Sequence, residues 1–148
     1  MNKNITRGIL ATLLAILATF TFSCGDRVIG YLDVENAEYI PDSLEIPRYA
    51  DLDPVMDATR IENNAPWVSL KIQGVRGTSP IAYAIAGARE KGGKSVAKFL
   101  EELSVAGAGV FHFPLQHETP AGEYTVSLRV YNEGHDKVVP DAFTFIVK

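Results

Sequence analysis

The sequence predicts a mostly β domain, an antiparallel sandwich carrying one short helix, and three observations point to it. Apolar residues recur with a period of two in four separate stretches. Gly, Pro, Asn and Ser clusters punctuate the chain between them. Short strands divided by turns at this spacing favour an antiparallel sandwich over a parallel α/β sheet.

In chain order, Tyr31 to Glu35 alternates weakly, as a strand does, and Pro41-Asp42-Ser43 and Pro47 mark turns. Asp53-Pro54 reads as an N-cap followed by proline at the first helical position, which allows a single helical turn from Pro54 to about Thr59. Val68, Leu70 and Ile72 then share one strand face, which turns Trp67 outward. After the turn Gly77-Thr78-Ser79-Pro80, Ile81, Tyr83 and Ile85 share a face. Val96, Phe99, Leu100 and Leu103 fall instead at helical spacing behind a Ser95 cap, and they define the one short helix. Pro120-Ala121-Gly122 leads into the best strand, with Tyr124, Val126, Leu128 and Val130 on one face and Tyr131 on the other. Asn132-Glu133-Gly134 turns the chain towards a last strand with Phe143, Phe145 and Val147 on one face.

The first residues have a different character. Lys3 and Arg7 precede an uncharged apolar run from Gly8 to Phe22, and small Ser23 stands before Cys24. This is the plan of an export signal peptide. The run is shorter than the roughly 20 residues that cross a bilayer, and Asp26 and Arg27 follow at once, so a membrane span is the weaker interpretation. Thr21-Phe22-Ser23-Cys24 resembles the bacterial lipobox, although Thr21 and Phe22 depart from its commonest form. The resemblance implies cleavage after Ser23 and lipidation of Cys24. Cys24 is also the single cysteine, so it has no partner for an internal disulfide. Two or more acyl chains on it would anchor the protein stably to a membrane.

Three regions follow: a lipoprotein signal peptide over 1–23, the lipidated cysteine with a short tether and an N-terminal arm or first strands over 24–66, and the sandwich over 67–148. After the leader, 12 basic residues face 18 acidic ones, a net charge of −6. That balance argues against nucleic acid as a partner. With the first strand expected near Val28, the domain would sit close to the membrane, suited to an integral partner there.

Gly77-Thr78-Ser79-Pro80-Ile81-Ala82-Tyr83 and the run from Gly109-Val110-Phe111 through Ala121-Gly122-Glu123-Tyr124-Thr125-Val126-Ser127-Leu128 to Phe143-Thr144-Phe145-Ile146-Val147 resemble the immunoglobulin-like, cadherin-like and PKD-like repeats of bacterial surface proteins. The resemblance implies an immunoglobulin-like sandwich in which Tyr124 bonds back to the backbone at a strand entrance. No cysteine pair pins the sheets, and Trp67 opens a strand rather than occupying its centre. With the lipobox, the whole is similar to small lipoproteins encoded beside gut-bacterial surface glycan-uptake systems.

Several constellations suggest chemistry. Gly87 to Ser95 approaches a phosphate-cradling loop but has the wrong glycine spacing. His117-Glu118 lacks the second histidine of a zinc-protease helix, and Pro120 would break that helix. His112, His117 and His135 could meet across strands at a metal, which imidazole chemistry permits. Asp51, Asp53 and Asp57 offer the oxygen ligands calcium prefers, yet turn chemistry explains them as well, so the expected cofactor set is empty with calcium as the alternative. Trp67 and Tyr131 are the candidate binding residues, because sugars stack on flat rings and exposed aromatics also mark protein contacts. There is no nucleophile elbow, convincing carboxylate pair or catalytic cysteine. The sequence therefore predicts a non-enzymatic lipoprotein of the cell envelope, with the outer membrane as its expected site, that binds a partner protein in a complex. A surface glycan-binding module is the alternative.

Overall fold

The computed structural model describes residues 29–148, so the signal peptide and Cys24 lie outside the described residues. The strands are β1 (Leu32–Asp33), β2 (Ser43–Ile46), β3 (Trp67–Val68), β4 (Arg76–Gly77), β5 (Ala82–Glu90), β6 (Ser104–Ala106), β7 (Val110–Phe113), β8 (Gly122–Asn132) and β9 (His135–Val147). Two short helices join them, α1 (Ala58–Glu62) and α2 (Ala97–Glu102). The fold is mostly β, as expected, with two helices where the sequence predicts one helix and a turn.

One layer is a four-stranded sheet in the order β2-β9-β8-β5, and a second is a three-stranded sheet in the order β3-β7-β6. β1 and β4 form a separate two-stranded ribbon. Pairing is antiparallel except at one edge, where β2 runs parallel to β9 from Ser43 opposite Thr144 to Ile46 opposite Val147. The long β8–β9 hairpin makes the spine. Alternation along it buries Tyr124, Val126, Leu128 and Val130 from one strand and Phe143, Phe145 and Val147 from the other.

Those side chains meet aromatic rings of the opposite sheet in tilted and edge contacts. Phe111 lies 5.7 Å from Phe143 and 5.8 Å from Phe145, and Phe113 lies 5.8 Å from Phe145, ring centre to ring centre. Such offset aromatic contacts are the preferred geometry for rings in a core. α2 closes one end of this core with Phe99, which stacks on Tyr124 at 4.5 Å. Val96, Leu100 and Leu103 pack beside it, as the helical spacing predicts. Ile81, Tyr83 and Ile85 of the β5 segment also pack on the core. A register shift between Ile85 and Gly87 then moves Ala88 onto the face where strict alternation would place its neighbour.

The strand that opens at Trp67 departs from expectation. Trp67 pairs with buried Phe113, and directly opposed residues share a face, so the indole turns towards the core. Val68 and Leu70 are 46% and 58% exposed, whereas Ile72 is buried. Ser69, between them, is buried; its amide donates to the Phe111 carbonyl and its hydroxyl accepts from the Phe111 amide. The one-residue change of face follows from the pairing with β7.

Among the described residues no helix is long and apolar enough to cross a membrane.

Candidate functional site

Strand pairing brings three distant segments to one pole of the four-stranded sheet. Because β2 parallels β9, the chain leaves Ile46 beside Val147, and the Lys148 amide donates to the Ile46 carbonyl at 3.0 Å. Gly122 pairs with Val147 as well, so the loop that precedes β8 arrives at the same pole. A cleft of about 510 Å³ opens there, lined by Arg48, Tyr49, Gln116, His117, Glu118, Thr119, Ala121 and Lys148.

Its loop wall is held by a set of side-chain contacts, several of them part-buried. The Glu102 carboxylate, at the end of α2, accepts the Glu118 amide at 2.7 Å, the Thr119 amide at 3.1 Å and the Thr119 hydroxyl at 2.5 Å. Burial works to raise the Glu102 pKa, but these donors outweigh it and hold the carboxyl below its ordinary range. The Tyr124 hydroxyl donates to the Pro120 carbonyl at 2.8 Å, the backbone tie expected of a tyrosine at a strand entrance. Lys98 pairs with Glu118 at 2.8 Å. The loop is thereby pre-organised, which lowers the ordering cost of binding.

The opposite wall is open and polar. Tyr49 begins a 3-10 turn over Tyr49–Asp51, and its ring is 43% exposed. Arg48 Nε donates to Asp51 at 2.7 Å, which orients the guanidinium. The His117 imidazole packs 5.2 Å from Phe113, and its two ring nitrogens are buried without a hydrogen-bond partner among the described residues.

The two candidate binding residues do not share this site. Tyr131 lies on the outer face of the four-stranded sheet, as alternation predicts, with the Arg129 guanidinium 4.8 Å above its ring and Asp136 holding that arginine. Trp67 stands in the other sheet, turned inward and covered by the Arg60 guanidinium at 4.1 Å. No aromatic row joins them, because they belong to different layers.

Among the described residues no three of His, Cys, Asp and Glu are gathered to hold a metal ion. Asp51, Asp53 and Asp57 therefore do not make the calcium site their spacing allowed. Asp51 bonds Arg48, Asp53 accepts the Val55 and Met56 amides, and Asp57 accepts the Asp53 amide. The three histidines are likewise dispersed: His112 lies in β7, His117 lines the cleft, and His135 Nε2 is 3.1 Å from the Gly30 carbonyl at the other pole. Gly87 to Glu90 is strand, and the Glu90 carboxylate accepts the Lys94 amide, so that stretch forms no phosphate cradle.

No protein-family model matches this chain, and no curated protein does. Among solved structures it is similar to a SusE-like surface located polysaccharide binding protein from the heparin utilisation locus of Bacteroides thetaiotaomicron. The two are 14% identical, with a TM-score of 0.50 over 81% of this chain. The match spans 15% of the length of that protein, and at this identity it shows a shared fold.

Of the cleft residues, Tyr49 stands out in the sequence as one of several aromatics free of the predicted core faces. Arg48, Gln116 and Lys148 carry no such signal, since a β2–β9 parallel pair cannot be read from local pattern.

Proposed function

We propose that this chain is a lipid-anchored, non-catalytic binding component of a bacterial cell-envelope complex and that its pole cleft receives a glycan. The observation that carries the proposal is the pairing of one exposed flat ring, Tyr49, with Arg48, Gln116 and Lys148 around a pre-organised opening. Saccharide recognition requires both an apolar face for the sugar ring and directed donors for its hydroxyls. The fold shared with a surface polysaccharide-binding protein supports this reading. Anchoring would come from Cys24, with the outer membrane as the expected site. Calorimetric titration with soluble oligosaccharides tests the glycan: binding that Tyr49→Ala weakens supports it, and no binding to any of them refutes it.

A separate observation favours a protein contact in the same complex. β3 is the edge of its sheet, and Val68 and Leu70 stand exposed along that edge segment. Exposed edges of this kind accept an added strand or an apolar partner surface. Lysine at both positions should abolish recovery of the envelope partner in a pull-down while saccharide titration is unchanged. Equal recovery by the variant would assign the contact elsewhere.

A further inference from the structure

We infer that the saccharide taken by the cleft is anionic, its carboxylate or sulfate held by Arg48 and Lys148 while Tyr49 carries the ring; this rests on the glycan reading above. Charge around the opening supports it. The charged residues that line the cleft are Arg48, Lys148 and Glu118. Glu118 is paired with Lys98 at 2.8 Å. Lys94 adds a further cation at the wall, its Nζ donating to the Ala121 carbonyl at 3.1 Å. Two acids stand behind the cationic wall without lining the cleft. Asp51 engages Arg48 through Nε, and among the described residues the terminal guanidinium nitrogens have no hydrogen-bond partner. Glu45 forms a longer ion pair with the Lys148 ammonium, at 3.6 Å. The Glu102 carboxylate accepts three loop donors, and the Glu90 carboxylate accepts the Lys94 amide.

The cleft thus carries two cations, each with N–H donors left over beyond its ion pair, in a chain whose net charge is −4. A planar guanidinium oriented by a carboxylate presents parallel N–H groups to a carboxylate or sulfate, and an ammonium beside it adds a point charge. A neutral sugar would leave these charge-assisted donors to water.

The experiment is calorimetric titration of the purified protein with three probes: oligogalacturonides, which carry carboxylates; carrageenan oligosaccharides, which carry sulfates; and neutral cello-oligosaccharides. Binding to an acidic probe is expected to exceed binding to the neutral one. It should weaken at least roughly tenfold in the double variant Arg48→Gln and Lys148→Gln. It should also weaken as salt rises from about 50 to about 500 mM. Which acidic probe binds distinguishes carboxylate from sulfate. Both substituted side chains are exposed, so the thermal melt should be unchanged and serves as the folding control. Neutral oligosaccharides binding as tightly as acidic ones, or the double variant binding acidic probes undiminished, would overturn the anionic assignment and leave the glycan reading standing. Failure of all three probes would overturn both.

Discussion

At the scale of single residues, Glu102 shows how one partly buried carboxylate shapes the cleft. Its folded pKa is depressed because burial, which raises it, is outweighed by the Thr119 hydroxyl and the Glu118 and Thr119 amides. A depressed carboxyl contributes stability that is complete above its unfolded pKa and is lost as pH falls through the folded one. Stability should therefore decline as pH drops below about 4.3. Glu102→Gln should start about 1–3 kcal/mol less stable at neutral pH and show a shallower acid decline, measured by urea unfolding across that range. An identical slope in the variant would assign the acid sensitivity to other carboxylates, such as the ion-paired Asp136 and Asp141. Tyr124→Phe should cost about 0.5–1.5 kcal/mol, since it removes the hydroxyl tie to Pro120 and keeps the ring in the core. The inward facing of Tyr124 is legible from local strand alternation, and its tie is what the immunoglobulin-like resemblance implies. The facing of Trp67 is not legible, since it depends on a partner strand more than forty positions away.

At the scale of elements, α2 couples the core to the cleft. Phe99 is fully buried against Tyr124, Phe113 and Phe145, and Glu102 on the same helix holds the loop. Phe99→Ala should lower unfolding free energy by about 3–5 kcal/mol, read from a chemical denaturation midpoint. A loss below about 1 kcal/mol would mean that the helix is not part of the cooperative core. The turn before β4 is equally exacting. Gly74 has φ +75°, and a Cβ there would stand 1.7 Å from the Asn36 carbonyl oxygen. Gly74→Ala should therefore destabilise the fold by more than the roughly 1 kcal/mol of an average substitution, and an unchanged melting temperature would refute that. The core-facing residues of β8 and β9 follow their apolar alternation, and β5 follows it up to the register shift after Ile85. β3 does not, because pairing with β7 and a buried serine hydroxyl override the pattern of Val68, Leu70 and Ile72.

At the scale of the whole molecule, the cleft and the start of the described chain lie at opposite poles. The β8–β9 turn end holds residues 30 and 31: Asn132 Nδ2 donates to the Tyr31 carbonyl at 3.0 Å, and His135 reaches the Gly30 carbonyl. The cleft lies at the other end of β8, roughly 33 Å away at about 3.3 Å per residue. Should Cys24 carry the lipid, the intervening residues 25–28 would keep the turn end near the membrane and point the cleft away from it. That geometry suits a ligand approaching from outside better than the integral partner expected from tether length alone. A fluorophore at position 133 on vesicle-bound lipidated protein should be quenched by lipid-borne quencher more than one at position 116, and the reverse order would invert the orientation. Cys24→Ser should release the protein to the soluble fraction.

The sequence by itself determined the β class, the core faces of the three long strands and the apolar face of α2, all of which rest on periodicities within a few residues, while the tyrosine tie is what the immunoglobulin-like resemblance implies. Only the tertiary structure decided that Trp67 turns inward, that Asp51, Asp53 and Asp57 serve turns, and that Arg48, Tyr49, Gln116 and Lys148 share a cleft. The physical reason is pairing: β2 lies parallel to β9, nearly a hundred residues on, and only that register joins the segments.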